Sequence, residues 1–123
     1  MPLWIAIALG GAAGSLARWQ TTVWARSLWP QFPWGTLIVN VSGSFLIGLI
    51  WAYSSSRPIP DWVRLGLMTG VMGGYTTFSA FSLDTVDLWK AGVIPVVANM
   101  AANVLLSLAA CALGVWTARQ FVG

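Results

Sequence analysis

The chain contains no histidine and no glutamate, and its one cysteine is Cys111. Each absence removes a class of chemistry. A lone cysteine permits no intrachain disulfide and no paired-cysteine metal or redox motif. Without histidine, no serine or cysteine nucleophile can be matched to an imidazole base. Charge is scarce as well: 7% of the 123 residues are charged and 58% are hydrophobic, against roughly 25% charged in soluble domains. Most of the surface must therefore face something other than water, and the composition is that of an all-α membrane protein. The pI near 9.8 rests on six scattered basic residues and not on a run of Lys and Arg, so it reflects membrane topology and gives no footing for nucleic-acid binding.

What is present divides the chain into apolar spans. Leu3 to Ala17, Ser27 to Ser56, Leu65 to Leu83 and Ala91 to Ala118 carry no charged residue. A membrane-crossing helix needs about 20 residues, so the pattern predicts a single domain over residues 1–123 with four transmembrane helices, the first running past Arg18. Trp4, Trp24, Trp29, Trp34, Trp51, Trp62, Trp89 and Trp116 fall near the proposed ends, where an amphipathic ring prefers the headgroup region. The N-terminal stretch could instead be read as a signal peptide, but it lacks a basic leading segment.

Four spans place both termini on one side with the connection between the second and third. That side holds Arg57, Arg64 and Arg119, and the other holds Arg26 and Lys90. Basic residues near span ends set orientation, and three against two is a weak bias, consistent with insertion both ways round and an antiparallel homodimer. Gly10/Gly14, Gly66/Gly70 and Gly70/Gly74 are small-xxx-small pairs that allow close helix approach. They serve either a dimer seam or packing within one subunit.

Several polar groups lie where lipid is expected. Arg18 would cost about 2.5 to 3.5 kcal/mol at the bilayer centre, so it must snorkel, pair or face water, and a cation at an aqueous mouth attracts anions. Asn40 and Ser44 share one face of the second span. On the fourth span Asn99, Asn103, Ser107 and Cys111 recur every four residues, a polar stripe about 18 Å tall at 1.5 Å per residue. Such residues either line a path or hydrogen-bond neighbouring helices. The first, second and fourth spans contain no acid, unlike most cation pathways and proton relays. Neutral amides and hydroxyls suit a small anion.

The run GGYTTFSAF, Gly73 to Phe81, interrupts the third span. Gly73 and Gly74 are poor helix formers, and Thr76, Thr77 and Ser79 compete for backbone hydrogen bonds. The helix is expected to break here. Unpaired backbone at membrane depth persists only where protein or a polar cavity shelters it, which places the break against partner helices. Its freed carbonyls suit a small cation, and its N–H groups and hydroxyls an anion. Phe78 and Phe81 share a face where helix resumes, and a phenyl edge carries positive potential.

The stretches GGAAGSLARW, WGTLIVNVSGSFLIG and GVMGGYTTFSAFS together resemble the Fluc (CrcB-type) fluoride channels, over essentially the whole length. The resemblance implies a multi-pass protein of the cell's inner membrane, assembled as a dual-topology antiparallel homodimer with two fluoride pores. It also implies a structural Na+ at the interface, held by the backbone carbonyls of Gly73 and Thr76 from each subunit. It assigns Phe78 and Phe81 to an aromatic box, Asn40 to fluoride coordination and Arg18 to the aqueous vestibule, with Thr77 and Ser79 as hydroxyl contributors. Ser107 matches a serine of the family's polar track, while Cys111 stands where threonine is familiar and Asn99 where some members have tyrosine. Two other readings compete. A small multidrug exporter needs a membrane-embedded glutamate that this chain lacks; a non-transporting subunit of a larger complex would conduct nothing alone.

Overall fold

The computed structural model describes residues 1–122, and among these every regular element is helical. Helix α1 is Leu3–Leu28 and α2 is Trp34–Ser56. Between them Pro30 and Pro33 end the helical path, so the uncharged stretch that begins at Ser27 is not one continuous rod. Trp24, Trp29, Phe32 and Trp34 gather around this turn with successive ring centroids 5.0 to 6.4 Å apart.

Helix α3 covers residues 61–75. It begins after Pro60 as α-helix Asp61–Leu65, widens into π-helical turns over Gly66–Met72 and returns to α-helix at Gly73–Tyr75. The chain then leaves helical geometry, with Thr76 extended at φ −83° and ψ 158°. Helix α4, Ser79–Asp87, resumes the rod and passes into a 3-10 turn, Leu88–Ala91. Gly92 reverses the chain at φ 116°, a conformation open to glycine and strained for other residues. Helix α5, Val93–Val122, contains a second π-helical stretch at Ala102–Leu106.

The expected break is thus present, but it sits later than the glycines suggest. Gly73 and Gly74 remain helical. Gly74 lies against the Gly11 carbonyl and Ser15 of α1, leaving no room for a side chain there. Close packing, not helix breaking, is what this glycine supplies.

Two seams hold the molecule together. Along α1 and α3, a side chain at Gly10 would strike the Gly66 carbonyl, one at Gly14 the Val71 carbonyl, and one at Gly70 the backbone of Ile7 and Gly10. Along α2 and α5, Gly48 faces the Cys111 carbonyl and Gly114 the Phe45 carbonyl. The small-residue pairs therefore pack helices within one subunit. Their absent side chains bring backbones close enough for dispersion and weak Cα–H contacts.

Helices α2 and α5 are each long and apolar enough to cross a membrane. Helix α1 has 26 residues, about 39 Å at 1.5 Å per residue, but Arg18, Gln20 and its threonines reduce its mean hydropathy; the third rod is divided into pieces shorter than a span. Outside the seams the surface is strongly apolar: Leu16, Leu83, Ile94, Leu105, Leu108 and Trp116 are all exposed. Large apolar patches of this kind mark a membrane or partner-facing surface.

Candidate functional site

A cavity of about 560 Å³ opens beside the break. Helix α2 contributes Asn40, Gly43, Ser44 and Ile47; the third rod contributes Met68, Met72, Gly73, Thr76, Thr77, Phe78 and Phe81; α5 contributes Asn103, Val104, Ser107 and Leu108. Both π-helical stretches border it, at Met68 and Met72 and at Asn103 and Val104. Such widened turns redirect side chains from the regular helical spacing and are frequent at functional sites.

Asn40 bridges the break. Its Oδ1 accepts the Thr77 N–H at 2.8 Å, and its Nδ2 donates to the Thr77 carbonyl at 3.0 Å. The amide thus supplies the two backbone partners that Thr77 would have in a regular element. The same Nδ2 donates to Asn103 Oδ1 at 3.0 Å. From there Asn103 Nδ2 donates to the carbonyl and Oδ1 of Asn99, Asn99 Nδ2 to Thr85 Oγ1, and Thr85 Oγ1 to the Phe81 carbonyl. One chain of hydrogen bonds ties α2, α4 and α5 to the break.

The hydroxyls are committed too. Thr77 Oγ1 accepts the Ala80 N–H at 3.0 Å, three residues on, and so caps the first turn of α4. It also lies 3.3 Å from Ser79 Oγ. Thr76 Oγ1 donates back to the Met72 carbonyl, the acceptor that its own N–H also uses. On the other side Ser42 Oγ donates to the Ile38 carbonyl, so the 2.9 Å contact between Ser42 and Tyr75 is a bond donated by the phenol. Ser107 Oγ is different. It is buried and has no hydrogen-bond partner among the described residues, although it belongs to the cavity wall.

Phe78 and Phe81 do come together, with ring centroids 5.4 Å apart and planes tilted by 57°. Their settings differ sharply. Phe81 is 9% exposed and Phe78 is 77% exposed, so one ring is fixed in the core while the other stands on the open side of the cavity.

Arg18 neither pairs with an acid nor lines the cavity. Its Nε donates to the Gly74 carbonyl at 3.1 Å, at the C-terminal end of α3, where the carbonyls left unpaired carry partial negative charge. The helix end supplies the partner that no carboxylate provides. Two exposed ion pairs, Arg64 with Asp61 and Lys90 with Asp87, lie far along the chain from it.

The predicted polar stripe on α5 divides. Asn103 and Ser107 reach the cavity. Asn99 is fully buried and spends its amide on Thr85 and Asn103, and Cys111 turns its backbone to Gly48. Ser79 is exposed and lies outside the lining. Sequence reasoning overlooked Thr85 and the buried Thr36, whose hydroxyl donates to Asp84 Oδ2 at 2.7 Å. Thr36 stands as a lone hydroxyl in the apolar start of α2, the signal by which it could have been found, whereas Thr85 sits between Asp84 and Val86 and carries no such signal.

This geometry has known counterparts. Residues 5–115 match the family model described as CrcB-like protein, Camphor Resistance (CrcB). A "Fluoride-specific ion channel FluC" of Agrobacterium fabrum is 46% identical over 117 residues, covering 93% of this chain and 94% of the relative. One of Methylobacterium radiotolerans is 42% identical over 123 residues, covering 97% and 86%. One of Bordetella petrii is 44% identical over 117 residues, covering 94% and 90%. Channel relatives and apolar helices together make this a membrane protein. Matched over nearly its whole length by model and relatives alike, the chain belongs to the CrcB family.

Proposed function

We propose that the protein is a passive, fluoride-selective ion channel that lets the anion leave the cell down its electrochemical gradient. It is not an enzyme. The observation that carries this reading is the break: a cavity at an interrupted helix, walled by apolar groups and by neutral polar ones, among them an unpartnered Ser107 hydroxyl and the paired rings of Phe78 and Phe81. Fluoride is strongly hydrated and gives up water only to hydrogen-bond donors. Hydroxyl and amide hydrogens, with phenyl edges beside them, offer that exchange without a fixed charge that would hold the ion too tightly to leave. The fluoride-specific channels similar to this chain agree with it.

The finer assembly belongs to the same proposal. Four spans cross the inner membrane, two copies insert antiparallel, and each dimer encloses two pores. A cavity of about 560 Å³ is much larger than one small anion, and Gly73 and Phe78 on its rim are exposed in the single chain. A second copy would close that side and turn the cleft into a narrow path. The near balance of basic residues between the two sides supports insertion in both orientations.

A sodium ion fits the break. Carbonyl oxygens are hard ligands suited to a small cation, and the N–H groups that would occupy the Gly73 and Thr76 carbonyls in a continuous α-helix, those of Thr77 and Ala80, donate elsewhere. Gly73 and Thr76 of both copies would hold the ion, which would offset the partial negative charge of the two α3 ends and link the subunits. In this assembly Asn40 holds the break open, and its amide nitrogen, kept at the cavity wall by the Thr77 carbonyl and Asn103, shares a hydrogen with the passing anion; Arg18 keeps a positive charge close to the entrance.

The deciding experiment loads liposomes containing only the purified protein with equal fluoride and chloride. Fluoride should escape and chloride stay. Equal loss of both overturns the selectivity, and no loss of either favours a subunit that conducts nothing alone.

A further inference from the structure

We infer that Thr77 and Asn40 create the cation site at the break by drawing away the two backbone N–H groups that would otherwise neutralise its carbonyl ligands. This rests on the reading that Gly73 and Thr76 carbonyls hold sodium. It adds the residues that make those particular carbonyls available.

In an α-helix the N–H of residue i+4 donates to the carbonyl of residue i. Thr77 is the i+4 partner of Gly73, and Ala80 is the i+4 partner of Thr76. Neither makes that bond. The Thr77 N–H goes to Asn40 Oδ1 at 2.8 Å, and the Ala80 N–H goes to Thr77 Oγ1 at 3.0 Å. Two side-chain oxygens, one on α2 and one in the break itself, have each captured one donor. The neighbouring Gly74 carbonyl is meanwhile taken by Arg18 Nε at 3.1 Å, so it is engaged within the subunit. Three side chains thus sort the carbonyls of the break into those that are claimed and those that are free.

Each copy thus presents two carbonyl oxygens without their helical donors, at a rim where Gly73 is exposed and Thr76 half-buried. A cation shared between copies would take them as ligands. The Asn40 amide is held in place by the same contacts that free Gly73, since its Nδ2 bonds the Thr77 carbonyl and Asn103 Oδ1. Cation binding and the anion path therefore share one side chain, and Thr77 and Asn40 act as positioning residues for the ion without touching it.

The test separates ion affinity from general stability. Purified protein is held in a buffer whose cation is N-methylglucamine, sodium is titrated at constant ionic strength, and the unfolding temperature is followed. A ligand that binds only the folded state raises that temperature with a concentration dependence set by its Kd. Removing a hydroxyl lowers the curve as a whole; removing a determinant of the site moves the sodium concentration at which the curve begins to rise. Thr77→Val should shift that onset at least tenfold to higher concentration, because the Ala80 N–H, no longer held by Thr77 Oγ1, is free for the Thr76 carbonyl. Thr77→Ser, which keeps the oxygen, should stay within twofold of the parent. If the valine variant does not fold, Thr77→Ala tests the same loss with less bulk. An onset unmoved by Val or Ala overturns the inference while leaving the sodium reading intact. A parent protein whose unfolding temperature ignores sodium removes the sodium reading itself, and the inference with it.

Discussion

The seam between α1 and α3 and the break between α3 and α4 lie within a few residues of each other, yet they are built on opposite principles. The seam is held by what is missing: at Gly10, Gly14 and Gly70 the lack of a side chain lets backbone touch backbone. The break is held by what is present: the amide of Asn40 and the hydroxyl of Thr77 each replace a lost helical bond, and Asn103 anchors the Asn40 amide. The first arrangement tolerates almost no change of volume. The second tolerates volume but needs a donor or acceptor at each point. A membrane protein gains little from apolar burial against lipid, so close contact supplies the frame, and polar side chains are reserved for the place where the backbone must be open.

Substitutions can strain this contrast, beginning with the most damaging. Gly10→Leu or Gly114→Leu would drive a side chain into the carbonyl of Gly66 or Phe45, at or beyond the upper end of the roughly 1–3 kcal/mol typical of overpacking. Loss of the monodisperse species on size exclusion in detergent is the expected result, and a normal elution profile would show that the seam is looser than described.

Asn40→Ala comes next. It leaves both backbone groups of Thr77 without partners, at about 1–3 kcal/mol for each group that stays buried. Fluoride efflux should fall more than about tenfold by the loss of an oriented donor alone, at roughly 1.4 kcal/mol per factor of ten. Folded protein should still be recovered, since the seams are untouched. Efflux at the parent rate would mean that the break needs no bridge.

Phe81→Ile and Phe78→Ile should both slow fluoride release, and they should differ in stability. Phe81 is in the core and Phe78 is not, so replacement costs about 1 kcal/mol at Phe81 and little at Phe78. Thermal unfolding and efflux measured on the same preparations check the two effects separately. The smallest effect belongs to Asp61→Asn, which removes the exposed partner of Arg64 at 3.2 Å. Such pairs contribute about 0.2–1 kcal/mol, and neither flux nor unfolding should move noticeably.

The two regions also differ in how far the sequence reveals them. The seam's glycines were visible as small-xxx-small pairs, but the same spacing serves a dimer contact or an internal one, and only the neighbours decide. The break was legible in the run from Gly73 to Phe81 because hydroxyls at Thr76, Thr77 and Ser79 compete for backbone hydrogen bonds. Its exact start was not legible, since Gly74 is kept helical by the backbone of α1. Asn40 stood out as a lone amide in an apolar span. That Asn99 is a fully buried tie while Ser107, eight residues on, borders the cavity could not be read from a period of four. The π-helical turns over Ala102–Leu106 lie between them and rotate the stripe. Arg18 was expected to need water or a counter-charge, and a carbonyl at a helix end answered that need from a distant part of the chain.

A zero-current potential separates a fluoride channel from every alternative. The purified protein alone is placed in a planar bilayer with fluoride salt on one side and chloride salt on the other, and the potential of zero current is recorded. The potential should lie at the limit set by fluoride as the only permeant ion. A value midway between the fluoride and chloride limits, or a membrane that stays electrically silent, would contradict it.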